Sequence, residues 1–200
     1  MDREFLERWK AFEEECKACS RCPLRASASK TVIYRGCKKA PLMIIGEGPG
    51  NVEDKTGIPF VGPSGYLLQN ALTAWGFKDR DFHICNIVKC HPPENRRPEP
   101  SEISQCKRLL ATQFRLVEPR VILLCGSTAY EAFYGERPVM RDVRGRFDEK
   151  KGYYIMTTYH PAALLRNDRL KIPMFEDLGK VRAKLSELAL MEPLSPLHHS

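Results

Sequence analysis

Four short apolar runs recur along this chain, each ending at a loop of glycine, proline or polar residues, with helical stretches between them. The runs are Pro41-Leu42-Met43-Ile44-Ile45-Gly46, Phe82-His83-Ile84-Cys85-Asn86-Ile87-Val88, Arg120-Val121-Ile122-Leu123-Leu124-Cys125-Gly126 and Tyr153-Tyr154-Ile155-Met156-Thr157-Thr158. Most are continuous rather than alternating, as strands covered on both faces are. Helices are expected over about 3–17, 65–75, 101–117, 127–134 and 174–190, with Ser64 as N-cap of the second and Ser101 with Glu102 opening the third. Phe5, Leu6, Trp9 and Phe12 lie near one face of the first. Strands alternating with helices predict a layered α/β fold around a mainly parallel sheet. In such sheets ligands bind beyond the carboxyl ends of the strands. Three loops leave those ends: Gly46-Glu47-Gly48-Pro49-Gly50, the stretch from Asn86 to Pro93, and His160-Pro161.

The chain has 200 residues and is 42% hydrophobic, enough for one sizeable core and incompatible with a collagen-like or wholly disordered chain. No repeat or linker-like stretch divides it. Residues 1–192 are expected to form one domain with an N-terminal cysteine-bearing extension, and 193–200 a frayed tail. Lys and Arg number 32 against 25 Asp and Glu, a net charge of +7 that is compatible with a polyanion partner but does not establish one. The start, MDREFLERWK, carries no secretory signal, and no apolar run reaches membrane-spanning length. A reducing cytosol is the expected compartment.

In that compartment the eight cysteines point to metal or redox chemistry before structural disulfides. Cys19-x2-Cys22 is a chelating pair. Cys90 opens a Pro-rich loop and Cys106 lies on the helix after it. Four thiolates suit a [4Fe–4S] cluster or a zinc ion. Cys16, Cys19 and Cys22 partly mimic a ferredoxin run that the other cysteines do not continue. Cys85 and Cys125, inside strands, read as small core residues.

The first loop lacks the GxGxxG register and no GxxxxGK[ST] is present, so no nucleotide cofactor is expected. Glu47 sits at a strand end, where a carboxylate orients water or faces a developing cation. Glu53 and Asp54 follow in the same loop, as alternatives for that role, as a solvated loop pair, or as helix-start charges. His160 precedes Pro161 at the ligand edge, where an imidazole can donate to a developing oxyanion. Phe60 reads as a packing residue or as a platform for a planar ring.

With these residues in view, the sequence resembles the family 4 uracil-DNA glycosylases, the iron–sulfur branch of their superfamily. The matching pieces are Cys19-x2-Cys22-Pro23-Leu24, GEGPGNVEDKTGIPFVGPSG, NIVKCHPPENRRPEPSEISQC and YHPAALLR, in order over roughly residues 16–170. The resemblance implies a three-layer α/β/α fold around a four-stranded, mainly parallel sheet. It implies a structural [4Fe–4S] cluster on Cys19, Cys22, Cys90 and Cys106, and a uracil pocket from Gly46, Glu47, Gly48, Phe60, Asn86 and His160. Gly48 stands where the family often has Ala. The KRRIH loop of uracil-crosslinking relatives is absent, which favours ordinary turnover.

The implied reaction flips uracil out of single- or double-stranded DNA and hydrolyses its glycosidic bond, the first step of base excision repair. Phe60 would stack on the base, His160 would bond its O2, and Asn86 would read O4 and N3–H. Glu47 would orient water, with Glu53 and Asp54 behind it. Glu53 is also a candidate to exclude the thymine methyl. Lys89, Arg96, Arg97 and Arg166 are candidates for phosphate contact, and Leu164 and Leu165 for wedging into the stack. A monomer is expected. Three other readings remain: a non-catalytic iron–sulfur module of the same fold that binds nucleic acid, a glycosylase of broader deaminated-base range, and a ferredoxin-like redox protein. The last gives Glu47, Asn86 and His160 no reason to occur together.

Overall fold

The computed structural model describes residues 2–193; the tail from residue 194 onward, expected to fray, lies outside the described residues. The four apolar runs form β2 (Leu42–Gly46), β3 (Phe82–Asn86), β4 (Val121–Cys125) and β6 (Tyr153–Thr158), all mutually parallel. Two short strands flank them, β1 (Arg35–Gly36) against β3 and β5 (Phe147–Lys150) against β6, both antiparallel. The sheet order is β1-β3-β2-β4-β6-β5. The four-stranded parallel core is the expected one, and the two edge strands add to it.

Side chains alternate between two cores. Met43, Ile45, Ile122 and Leu124 face one together with Trp9, Phe12 and Leu109; Leu42, Ile44, Val121 and Leu123 face the other with Leu68, Leu72, Leu178 and Val181. Helices α1 (Arg3–Lys17) and α5 (Pro100–Val117) cover the first face with α6 (Ser127–Tyr134). Helices α4 (Pro63–Ala74) and α9 (Lys171–Glu187) cover the second. The short helices α2 (Leu24–Ser27), α3 (Asn51–Thr56), α7 (Met140–Val143) and α8 (Pro161–Leu164) lie in the connections. Cys85 and Cys125 are fully buried, one in each core, as expected.

Local chemistry sets the helix starts. Asp2 caps α1 by accepting from the Phe5 amide at 2.8 Å. The stripe α1 buries is Trp9, Phe12 and Cys16, while Leu6 turns to solvent. Gly62, rather than Ser64, caps α4, because Pro63 is set for the first helical position. Pro100 does the same for α5, where the Glu102 carboxylate accepts from the Glu99 amide at 2.8 Å. Helix α3 falls in a stretch that reads as loop, since its six residues are too few to show a period.

Candidate active site

The pairing register brings the carboxyl ends of the parallel strands level. Gly46 pairs with Asn86, and Cys125 with Thr158. Two bonds extend the first pairing past the strands: Ile87 N–H to Gly46 O at 2.9 Å and Val88 N–H to Glu47 O at 3.2 Å. They hold Glu47 beside the start of the β3 loop. Above this edge lies a cleft of about 490 Å³, whose walls include Glu47, Phe60, Asn86, Arg96, His160 and Arg166. That is an ordinary size for a small-ligand site.

His160 caps α8, and its Nδ1 accepts from the Ala162 amide at 3.1 Å. Burial holds the imidazole below its ordinary value, outweighing the pull of the Glu47 carboxylate. A neutral ring with Nδ1 as acceptor carries its proton on Nε2. That Nε2–H is buried without a protein partner. So is Oδ1 of Asn86, an acceptor. A buried unpaired polar group costs about 1–3 kcal/mol, and here one donor and one acceptor border the same cleft. The Phe60 ring lies 5.8 Å from the His160 ring, centroid to centroid, on a backbone at φ +55°. A bulky residue in that region is strained.

Two glycines shape this wall. A Cβ on Gly46 would overlap Phe60 Cζ and stand 2.6 Å from Asn86 Oδ1 and 2.8 Å from Phe60 Cε2, so only glycine lets amide and ring close over the strand end. A Cβ on Gly48 would meet Val88 Cγ2 at 3.0 Å and Pro92 Cδ at 3.5 Å. An alanine there asks only a small shift of the Val88 methyl.

The three loop carboxylates part company. Glu47 borders the cleft and accepts from the Thr128 hydroxyl through Oε2. Glu53 also borders it, but its oxygens hold the loop. Oε1 accepts from Val61 and Gly62 amides at 3.0 and 2.8 Å, and Oε2 from Gly50 at 3.1 Å. Asp54 faces away, accepting from Ser29 at 3.0 Å and Lys30 at 3.4 Å. Burial pushes its carboxyl up, yet these bonds outweigh burial and hold it below the ordinary range. The helix-starting alternative is thus the better description of both Glu53 and Asp54, which stand at the first turn of α3.

The candidates for DNA contact divide in the same way. Lys89 is 1% exposed and cannot reach a phosphate. Arg96 makes a bidentate pair with Glu102 at 2.6 and 2.9 Å. Arg97 pairs with Glu131 at 2.6 Å. Arg166 is exposed at the cleft. Leu164 is 1% exposed and belongs to the core, while Leu165 is 53% exposed beside it. Lys89 and Leu164, expected as DNA contacts, are instead buried in the protein.

Cys19, Cys22, Cys90 and Cys106 ring one small cavity between α1, α2, α5 and the β3 loop, with Cys16 beside them. No group of three or more His, Cys, Asp or Glu side chains among the described residues is placed to hold a metal ion. Burial and the neighbouring Cys106 and Cys22 push the Cys90 thiol up to about 12. The donor set, four thiols from two distant stretches of chain, fits an iron–sulfur cluster.

The cleft also takes Gly126 and Ser127 from the end of β4, and Ser64, Asn95, Met140 and Tyr159. Thr128, the partner of Glu47, comes from that same β4 end, a fourth strand end absent from the loops singled out in the sequence. Its position after an apolar run was the available signal.

The family profile of the uracil-DNA glycosylase superfamily matches residues 33–181, and the covered parallel sheet with a polar cleft at its carboxyl edge agrees with it; the chain is a member of that superfamily. A Type-4 uracil-DNA glycosylase of Thermotoga maritima is 39% identical over 174 residues, covering 85% of this chain and 91% of that protein. Those of Pyrobaculum aerophilum and Saccharolobus solfataricus are 37% and 38% identical, over 84% and 86% of this chain and 90% and 84% of theirs. The chain belongs to the type-4 family. No helix among the described residues is long and apolar enough to cross a membrane.

Proposed function

We propose that this protein removes uracil from DNA by hydrolysing its glycosidic bond, reading the flipped base with Asn86 and His160. The observation that carries this is the pair of buried, unpartnered atoms in the cleft, Oδ1 of Asn86 and Nε2 of His160. An acceptor and a donor call for a ligand edge with an N–H and a carbonyl, which uracil presents at N3 and O2. The Phe60 ring supplies a face for the base. Breaking the bond between C1′ and N1 leaves its electron pair on the base and a cation on the sugar. His160 donates to O2, where the negative charge grows. Glu47 faces the sugar, orients water toward C1′ and accepts its hydrogen bond; Thr128 fixes the carboxylate by engaging Oε2.

Cys19, Cys22, Cys90 and Cys106 would hold a [4Fe–4S] cluster that staples residues 19–22 to the β3 loop and α5 rather than taking part in the reaction. DNA phosphates would meet Arg166, and Leu165 would fill the stack.

Single-turnover assays on uracil- and cytosine-containing oligonucleotides test the reading. The parental protein releases uracil and spares cytosine. Asn86→Asp loses most uracil release, because a carboxylate has no donor for O4 and repels the growing charge on the base. Full activity and selectivity in that variant would place base reading elsewhere.

A further inference from the structure

Lys89 is the one charged DNA-contact candidate that the fold carries wholly inside. Its Nζ donates to the main-chain carbonyl of Asn86 at 2.8 Å and to Gln113 Oε1 at 2.5 Å. The Gln113 orientation is itself fixed. Its Nε2 donates to Ile33 O at 3.1 Å and to His83 Nε2 at 2.8 Å, while His83 Nδ1 donates to Cys37 O at 2.8 Å. Every donor in this chain has an acceptor, so the lysine has one place to be. Lys89 also lines the cysteine cavity. Its ammonium meets the Cys85 thiol, and its amide faces the Cys106 sulfur.

A buried ammonium is costly unless an anion answers it. Its hydrogen-bond acceptors here, a carbonyl and an amide, are uncharged, and no Asp or Glu pairs with it among the described residues. Four cysteine thiolates around an iron–sulfur core would be a net anion in the cavity that Lys89 lines. We propose that Lys89 is a positioning residue that joins the two sites: it holds the Asn86 carbonyl, and so the amide that reads the base, and it takes its counter-charge from the thiolates of the cysteine cavity. The cluster then acts on uracil recognition through one buried side chain. This rests on the functional reading above.

The test is Lys89→Met, which keeps the length of the side chain and removes its charge and donors. Uracil release in single turnover falls at least tenfold. Affinity for undamaged duplex and its salt dependence stay parental, because Lys89 touches no phosphate. The visible absorbance of the cluster decays several-fold faster under an iron chelator. Parental release together with parental cluster lifetime overturns the proposal. So does a salt slope reduced by about one, which would return Lys89 to a phosphate. If Lys89→Met does not fold, Gln113→Leu removes one anchor of the ammonium and gives a smaller loss of both readouts; parental values there overturn the proposal. Parental protein without uracil release defeats the functional reading instead, and the chelator arm then decides Lys89 alone.

Discussion

Helix α4 touches the backbone of Phe60 at Gly65, where a Cβ would overlap the Phe60 carbonyl and stand 2.8 Å from its Cα. The left-handed Phe60 conformation therefore depends on a glycine five residues later, inside a helix where glycine is otherwise unfavourable. Gly65→Ala is expected to gain helix propensity and still lose about 1–3 kcal/mol through the overlap. Uracil release falls more than tenfold as the ring leaves the cleft. Urea unfolding with single-turnover rates checks both, and a variant at least as stable and active as the parent refutes the contact.

His160→Ala should lower uracil release by two to three orders of magnitude, the usual effect of losing one oxyanion donor. Undamaged-DNA binding should change little, since the lost Nε2–H faces the cleft. Rates equal to the parent under single-turnover conditions would make His160 only the cap of α8.

Arg166 and Arg97 should separate by salt. Arg97 is held by Glu131, so Arg97→Ala leaves the slope of log affinity against log salt near parental. Arg166→Ala reduces it by about one. Equal slopes in the two variants would remove the distinction. The sequence offers these arginines as equals, because the acids that claim Arg96 and Arg97 come from α5 and α6.

Acid should weaken the fold through His83. Burial pushes its imidazole down to about 3, helped by Lys89 and opposed by the hydrogen bond to Cys37. Between about 3 and 6.5 the unfolded chain binds a proton there that the folded chain does not. Unfolding free energy therefore rises with pH across that window and is lost as pH falls through it. His83→Gln removes this contribution and flattens the acid limb. Urea midpoints at pH 7 and pH 4.5 measure it; an unchanged difference between them assigns the acid loss to other groups.

The parallel core was legible because Leu42–Gly46 and Val121–Cys125 are uninterrupted apolar runs that only a doubly covered strand explains. Strand β5 was not, since Phe-Asp-Glu-Lys pairs through backbone and exposes most of its side chains. The strand-end positions of Glu47, Asn86 and His160 followed from the order of runs and loops. What lay beyond sequence was partnership over distance. Lys89 reads as a surface cation until Gln113, 24 residues on, receives it in the core. Glu53 and Asp54 read as twins, yet one turns toward Gly62 and the other toward Ser29. Leu164 is the last residue of a four-residue helix and is buried, whereas Leu165, its C-cap, turns to solvent.

The two strands that bound the sheet have a consequence for the molecule as a neighbour of its own copies. A central parallel sheet this apolar would, if left open, offer its unpaired backbone as a template for another chain. Strand β1 offers only two residues, one a glycine at φ +86°, and β5 exposes Asp148, Glu149 and Lys150. Neither side presents a long flat edge on which a second sheet could grow. The sheet can therefore be strongly apolar in its middle without inviting aggregation at its margins.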